Sequence, residues 1–384
     1  MVEEPLYRLV GQHNGPTIKP LELRMGIIEG MVPDLARMVG KLSAEQTSRQ
    51  LVGTLETVRM VGPSRACLEK RVKVIAAEMA DQVEQLEEAA RAAEQLPEPV
   101  AAVSCGMDRG TVRMVEPLDP ATVPPRERSE PYQRTPPPPC ELHYRMAWNG
   151  SVTLYDIVGK PLHTYRYAAE AGADPVELAR RISADVAWVQ RKHLFADVHC
   201  IQDAAPELRV LPEMLAATLP PSVTMHGIDL VDFKHLLGYL EDVVDICEPA
   251  GDPRGLKRWY RTELLSDDGA IDRIWRKLRD LGKSLPLSAR KKRKAVAAAL
   301  SYIRTRKDRM RYATRYSQRL PIGSGDTENT VWLMQQRVKR AGQSWQVRGL
   351  RGVLTLRALV LSERWEAAWA SYAATKHEEV RRAA

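Results

Sequence analysis

The stretch PVAAVSCGMD, residues 99–108, predicts a buried β-strand that ends on a carboxylate. Its apolar residues are almost uninterrupted, as in a strand that is covered on both faces. Two further stretches, HYRMAWNGSVTLYD (143–156) and PLHTYRY (161–167), alternate apolar and polar residues around turn signals at Asn149-Gly150 and at residues 159–161. These patterns predict two more strands in an antiparallel meander.

Helices and strands alternate after the meander. An amphipathic helix is predicted from Asp174 to His193, with Pro175 in its first turn. The stretch FADVHCIQD (195–203) predicts a fourth strand that ends on Asp203, and SVTMHGIDLV (222–231) predicts a fifth strand after a short helix. Carboxylates therefore stand at the ends of the first and fourth strands. This order of elements predicts an α/β fold with a ribonuclease H-like mixed sheet.

The remainder of the chain is predicted to be helical, which divides it into four regions. Residues 1–99 form a helical N-terminal domain, and residues 100–235 form the first part of the core with a proline-rich loop at 115–140. Residues 236–320 form an all-helical basic insertion. Residues 321–384 complete the core with a helix that carries Glu328 and with C-terminal helices.

The N-terminal domain contains a candidate helix-turn-helix among predicted helices at 34–42, 43–58 and 64–96. Gly62 and Pro63 separate the second helix from the third, and Ser64 is placed to cap the third. Basic residues near the start of the third helix would then reach DNA, namely Arg65, Lys70 and Arg71. An ordinary helical hairpin is the alternative, because the motif is degenerate.

Charge is distributed unevenly along the 384 residues, whose net charge is +8. Residues 100–253 carry 14 Lys and Arg against 22 Asp and Glu, whereas residues 254–320 carry 21 against six, a net charge of +15. Such a basic segment, interleaved with aromatic residues that could stack on bases, predicts double-stranded DNA as a partner. The candidate DNA contacts in the C-terminal half are Lys291, Lys292, Arg293, Lys294, Arg337, Lys339 and Arg340. A solvated helical face is the alternative for a single run such as 291–294.

Three carboxylates are candidate metal ligands. Phosphodiester cleavage commonly uses two divalent ions about 4 Å apart that are held by acidic side chains. Asp108 and Asp203 at strand ends, with Glu328 from a helix, would hold two Mg²⁺ or Mn²⁺ ions. Taken singly, each residue has another explanation, since Asp is common in turns and Glu is favoured near a helix N-terminus.

These motifs resemble those of the DDE-class transposases of bacterial insertion sequences, in particular the ISKra group. The most specific match begins LPIGSGDTENTVWLMQQRVKRAGQSWQVRGLRG (320–352) and runs to Trp369. Shorter matches are SCGMDRGTVRM (104–114), CIQDAAPEL (200–208) and HGIDLVDFKHLLGYL (226–240). The resemblance implies a ribonuclease H-like catalytic core with a helical insertion.

The resemblance also implies a role for each matched residue. Asp108, Asp203 and Glu328 correspond to the catalytic, metal-binding carboxylates, and Asp232 and His235 correspond to an Asp-x-x-His pair that supports the site. Ala204 follows Asp203 where the family usually has glycine. If that glycine allows a close backbone approach or an unusual φ, Ala204 could distort the turn.

The predicted function is that of an insertion-sequence transposase. It would bind terminal inverted repeats as a homo-oligomer and catalyse metal-dependent cleavage and strand transfer by a DDE mechanism. The alternative is an inactive or host-recruited remnant that acts only as a DNA-binding protein. A host nuclease of the same fold, such as a junction resolvase, is a third possibility.

The sequence also predicts a cytoplasmic protein that associates with the nucleoid through DNA. Its five cysteines are scattered without a CxxC motif, which fits a reducing compartment better than a disulfide framework. Its N-terminus resembles no signal peptide, and its apolar runs fall short of the roughly 18 residues of a membrane helix.

Overall fold

The computed structural model describes Tyr7 and residues 24–60, 63–118, 139–224, 228–247 and 251–383. The strands are β1 (Ala102–Pro117), β2 (Cys140–Tyr155), β3 (Pro161–Ala169), β4 (Asp197–Gln202) and β5 (Asp229–Val231). The helices that precede β5 are α1 (Pro33–Ser43), α2 (Ser48–Thr57), α3 (Arg65–Asp81), α4 (Val83–Ala93), α5 (Pro175–Lys192), α6 (Val210–Thr218) and α7 (Pro221–Thr224). Those that follow it are α8 (Phe233–Cys247), α9 (Pro253–Ser266), α10 (Ala270–Ser284), α11 (Arg290–Arg304), α12 (Ala313–Ser317), α13 (Gly325–Val338), α14 (Val347–Leu361) and α15 (Trp365–Ala383).

One mixed sheet of five strands has the order β3-β2-β1-β4-β5. The first three strands form an antiparallel meander, and β4 and β5 run parallel to β1. Helices separate the two parallel strands from the strands before them, as the alternating pattern predicted. The α/β class and the mixed sheet are confirmed, and the arrangement is compatible with a ribonuclease H-like core.

Two predicted strand limits in the meander are wrong. β1 continues nine residues past Asp108 to Pro117, so Asp108 lies within the strand and not at its end. β2 runs straight through Asn149-Gly150 and pairs with β1 over its full length. Gly150 serves packing rather than a turn, because a Cβ there would lie 2.4 Å from Cδ1 of Ile182 on α5.

Two other predicted elements differ in length. The fifth strand is limited to Asp229–Val231, and residues 221–224 are helical; residues 225–227 lie outside the described residues. The helix predicted at 64–96 is divided at Gln82, where φ is −113°, into α3 and α4. The proline-rich loop predicted at 115–140 falls largely on residues 119–138, which also lie outside the described part.

The two faces of the sheet bury different sets of helices. Val103, Cys105 and Met107 of β1 share a core with α5 and α6. The alternate residues Val112 and Met114 share another core with α13 and α14. Side chains alternate along a strand, so Asp108 belongs to the face that α13 and α14 cover.

The N-terminal helices are packed onto the C-terminal ones. Leu68 and Ile75 of α3 belong to the same buried cluster as Leu356 of α14 and Trp365 of α15. Helices α3 and α14 approach so closely that a Cβ on Gly352 would lie 2.9 Å from Cβ of Ala76. The regions predicted at 1–99 and 321–384 therefore share one hydrophobic core.

Candidate active site

The register of the parallel strands brings Asp108 and Asp203 together. β1 and β4 pair from Ala102 with Asp197 to Cys105 with Cys200. Asp108 and Asp203 each follow the last of these pairs by three residues, and neighbouring strands advance at the same rise per residue. The two carboxylates consequently lie at the same level on adjacent strands, although only Asp203 follows the end of its strand.

Helix α13 crosses β1 at two glycines that flank Asp108. A Cβ on Gly106 would lie 2.8 Å from Oγ1 of Thr327, and a Cβ on Gly110 would lie 3.2 Å from Cγ1 of Val331. Glu328 stands between these two contact points in the first turn of α13. The absence of side chains at 106 and 110 thus allows the helix to pack against β1 with Glu328 close enough for its charge to act on Asp108.

Four neighbouring groups influence the pKa of Asp108, namely the backbone N–H of Arg109 and the side chains of Asp203, His235 and Glu328. Burial raises the pKa of Asp108, and the negative charges of Asp203 and Glu328 add to that increase. The backbone N–H of Arg109, which donates to Oδ1 at 2.6 Å, and the side chain of His235 lower the same pKa. The site therefore concentrates negative charge in a partly desolvated position, which favours binding of a cation.

Glu328 also belongs to a tight cluster with Asp232 and His235. One potential ligand atom from each of these residues lies within 4.8 Å of the other two. Asp232 is fully buried, His235 is exposed, and the side chain of Glu328 is 42% exposed. The potential metal ligands of His235 and Glu328 are therefore open to solvent, while that of Asp232 lies beneath them.

Asp232 connects the start of α8 to the loop before α13. Its Oδ1 accepts the backbone N–H of His235 at 2.8 Å, as an N-cap does. Its Oδ2 accepts the hydroxyl of Ser324 at 2.7 Å and also the backbone N–H of Ser324. Ser324 Oγ lies 3.4 Å from Oε1 of Glu328. Because both oxygens of Asp232 are engaged in this way, Asp232 positions Glu328 and His235.

Ala204 causes no backbone strain of the predicted kind. The non-glycine residues with positive φ in the described structure are Glu29, Arg59, Arg319 and Glu363. Ala204 is buried, and its carbonyl accepts Nε and Nη2 of Arg306 at 3.3 and 3.1 Å. An alanine therefore fits after Asp203, and the predicted distortion does not occur.

Several residues near the carboxylates were not predicted. Lys234 places its exposed Nζ 3.8 Å from Oε2 of Glu328. Arg109 forms an ion pair with Glu207, with Nη2 and Oε1 2.6 Å apart. Both basic residues are next to a predicted site residue in the sequence, and that adjacency could have been used to predict that they lie near the carboxylates. Arg306 and Ala204, which are also in contact, are about a hundred residues apart in the sequence, and no local sequence pattern indicates that contact.

The predicted DNA contacts divide into two groups. Arg71, Lys292, Arg293, Arg337 and Arg340 donate hydrogen bonds to carbonyl groups of the protein, at Gly30, Cys247, Leu285, Ser43 and Glu45 respectively. The exposed group consists of Arg65, Lys70, Lys291, Lys294 and Lys339. Arg293 of the first group is exposed as well, so its charge is open to solvent like the charges of the second group.

The expectation that aromatic residues of the basic insertion stack on bases is wrong for most of them. Tyr260, Tyr302 and Tyr312 are buried in the core of the insertion, and Trp259 and Trp275 pack against that core. Tyr316 is the exposed exception, at 54%. These large side chains stabilise the helical insertion through burial instead.

No protein-family model matches this chain, and no curated protein is significantly similar to it. None of the helices in the described part of the chain combines membrane-spanning length with a sufficiently apolar sequence.

Proposed function

We propose that this protein is a metal-dependent DNA-processing enzyme of the DDE type, a transposase that cleaves and joins DNA ends. One observation carries the proposal. Asp108 and Asp203 lie in register on adjacent parallel strands, and α13 crosses at Gly106 and Gly110 with Glu328 within electrostatic range of Asp108. Carboxylates from two strands and one crossing helix could hold the pair of metal ions that many phosphoryl-transfer sites use.

The donor atoms fit Mg²⁺ or Mn²⁺. Both ions prefer oxygen ligands, and Asp108, Asp203 and Glu328 supply them; His235 adds a nitrogen that Mn²⁺ accepts. The raised pKa of Asp108, which arises first from burial and then from Asp203 and Glu328, reflects a charge density that a divalent cation would neutralise. Bound ions would supply Lewis acidity toward water or a 3′-hydroxyl.

The protein's own residues would orient the reaction. Asp232 holds the backbone on both sides of the site, at His235 and at Ser324, and so limits the movement of Glu328. Lys234, 72% exposed beside Glu328, is placed to contact a DNA phosphate. Arg306 joins the insertion to the strand end that carries Asp203, so DNA bound to the insertion would lie next to the carboxylates.

The test is cleavage of a duplex that carries the gene's own flanking repeats, with Mn²⁺ or Mg²⁺ and with EDTA. We expect metal-dependent nicking by the wild type and none by Asp203→Asn, while both bind the duplex. Asp197→Asn is the matched control, because Asp197 is an exposed carboxylate at the other end of the same strand. Metal-dependent nicking that persists in Asp203→Asn would refute the assignment, and binding without any nicking would favour the DNA-binding remnant.

A further inference from the structure

A cleft of about 730 Å³ opens between the N-terminal helices α2 and α3 and the junction of α13 with α14. Lys70 of α3, Arg337 of α13 and Arg348 of α14 line it, together with Trp345. The cleft therefore brings together residues from two stretches of sequence that were predicted separately to contact DNA. It is distinct from the carboxylate site, which lies at the opposite end of α13.

Arg337 is a buried cation without an acidic partner in the described structure, and its guanidinium lies over the ring of Trp345, 5.4 Å from the ring centroid. Arg337 is 7% exposed, donates Nε to the carbonyl of Ser43 at 3.1 Å, and leaves Nη1 without a hydrogen-bond partner among the described residues. Burial lowers the pKa of Arg337 to about 10, and the neighbouring charges of Arg340 and Arg357 act in the same direction. Such a buried guanidinium is strongly stabilised by an anion.

The rim of the cleft adds net positive charge, since its one acidic residue in the described part of the chain, Glu69, is paired with Lys73 at 2.9 Å. Lys70 and Arg348 are exposed, and neither has an acidic partner among the described residues. Arg348 lies in the first turn of α14, whose N-cap residue Gln346 makes no capping hydrogen bond with its side chain. The backbone N–H groups of that turn therefore add positive potential at the rim.

The cleft also contains an unpartnered acceptor, because Oε1 of Gln343 is buried without a hydrogen bond. A phosphodiester group, which has no O–H, would satisfy Arg337 but not Gln343. A nucleotide offers both anionic oxygens and base N–H donors, and its base has apolar faces suited to the wall formed by Leu51 and Val353.

We propose that this cleft binds a nucleotide of a DNA strand, with its phosphate near Arg337 and the rim cations and with its base toward Gln343. This inference rests on the proposed function, since it assigns a second contact for the same DNA. Arg337 follows Glu328 by nine residues on α13, or about 14 Å along the helix axis. At about 3.4 Å per nucleotide, the strand would enter the cleft roughly four nucleotides from the carboxylates.

The experiment measures DNA binding in EDTA, so that catalysis does not affect it. A labelled duplex with a four-nucleotide single-stranded end is titrated by fluorescence anisotropy at several salt concentrations. We expect the Lys70→Gln/Arg348→Gln variant to reduce the slope of log K against log salt by about one unit, because both cations face the same phosphate. The control Arg191→Gln/Lys192→Gln removes two exposed charges at the end of α5 and should keep the wild-type slope.

A second measurement separates a nucleotide from a simple anion. Thermal unfolding of the wild type is followed with the four-nucleotide single strand or with inorganic phosphate at equal phosphate concentration. We expect the oligonucleotide to raise the unfolding midpoint of the wild type more than inorganic phosphate does. We expect this difference to be lost in the Lys70→Gln/Arg348→Gln variant. An equal increase with phosphate, or a salt slope identical to that of the control variant, would overturn the inference. If the wild type cleaves DNA but the variant keeps the wild-type salt slope, only the inference about the cleft is overturned. If DNA binding depends on the cleft but the wild type does not cleave, only the proposed function is overturned.

Discussion

Gly106 on β1 lies directly beneath Thr327 on α13. A Cβ at position 106 would lie 2.8 Å from Oγ1 of Thr327 and 2.4 Å from the carbonyl oxygen of Ile201. Oγ1 of Thr327 in turn lies 2.8 Å from Oγ of Ser151, which ties α13 to the neighbouring strand β2. The position of Glu328, one residue further along α13, therefore depends on the missing side chain at 106.

Gly106→Ala should reduce the free energy of unfolding by roughly 2 kcal/mol, because the added methyl group has backbone on one side and a buried helix on the other. It should also reduce metal-dependent cleavage more than DNA binding, since α13 is displaced. Urea denaturation and the cleavage assay measure the two effects. Gly53→Ala is the control, because nothing lies within 4 Å of a Cβ there, and it should be neutral or stabilising. Wild-type stability and cleavage in Gly106→Ala would show that α13 does not depend on this contact.

Asp232→Asn should destabilise the protein by about 2 kcal/mol, because a buried carboxylate that accepts three hydrogen bonds is replaced by an amide with one acceptor oxygen. Ser324→Ala removes one of those bonds and should have a smaller effect. Protection from thermal unfolding by Mn²⁺ separates positioning from ligation. If Asp232 only positions its neighbours, Asp232→Asn should weaken protection by Mn²⁺ in part. If Asp232→Asn abolishes the protection while Ser324→Ala keeps it in full, Asp232 is a metal ligand.

His199 on β4 should make the protein less stable in mild acid. Burial lowers the pKa of His199 to about 3, and the charge of Arg315 acts in the same direction. The unfolded chain takes up a proton at this residue near pH 6.5, whereas the folded chain does so only near pH 3. The unfolded state thus binds more protons between these values, and stability falls as the pH falls through that window.

The measurement is the difference in unfolding free energy between pH 7.5 and pH 5 for the wild type and for His199→Gln. At pH 5 the contribution of His199 amounts to about 2 kcal/mol, so the wild type should lose about that much more than the variant. His163→Gln serves as a control for histidine replacement on another strand. Equal losses in all three proteins would show that His199 is protonated in the folded state.

Asp185 is the acceptor in a buried ionic network and should be far more important for stability than a surface ion pair. Its oxygens accept Nη1 and Nη2 of Arg364 at 2.6 and 3.0 Å and Nη1 of Arg91 at 3.2 Å. Asp185→Asn removes the counter-charge of the half-buried Arg91 and leaves the buried Arg364 with Glu94 alone, at 3.2 Å. Removing one partner of a buried ion pair typically costs about 3–5 kcal/mol, and Glu94 should keep the loss near the lower value. Glu366→Gln, which breaks the exposed pair with Arg37, should cost less than about 1 kcal/mol in the same urea titration. Similar costs for the two variants would contradict the prediction.

The basic run at the start of α11 should divide into phosphate-binding and structural residues. Lys291, Arg293 and Lys294 are exposed and Lys292 is half-buried. Lys292 and Arg293 donate to the carbonyl groups of Cys247 and Leu285, and these contacts distinguish them from Lys291 and Lys294. Lys291→Gln/Lys294→Gln should reduce the salt slope of DNA binding by about two units. Lys292→Gln/Arg293→Gln should mainly lower the unfolding temperature, because it removes contacts that hold the ends of α8 and α10. If the Lys292→Gln/Arg293→Gln variant lowered the salt slope and the Lys291→Gln/Lys294→Gln variant lowered the unfolding temperature, this division would be wrong.

Local patterns in the sequence predicted much of the architecture. The alternation of strands and helices identified the mixed sheet, and Ser64 caps α3 as expected, with its Oγ 3.4 Å from the N–H of Cys67. These features follow from periodicity and from capping and turn chemistry, which act over a few residues. The prediction that Asp108, Asp203 and Glu328 are the metal ligands stays a prediction, although the charges of Asp203 and Glu328 both act on Asp108 in the structure.

What the sequence alone determined, then, is the kind and order of the elements, and it nominated three carboxylates as metal ligands. The tertiary structure decided where β1 and β2 end, because strand pairing over their full length outweighs the local turn signal at Asn149-Gly150. It also decided that Asp232 positions Glu328, that Ala204 is tolerated, and that Lys70 and Arg337 line one cleft. Each of these relations joins residues far apart in the chain, and contacts of that range depend on packing that no short stretch of sequence specifies.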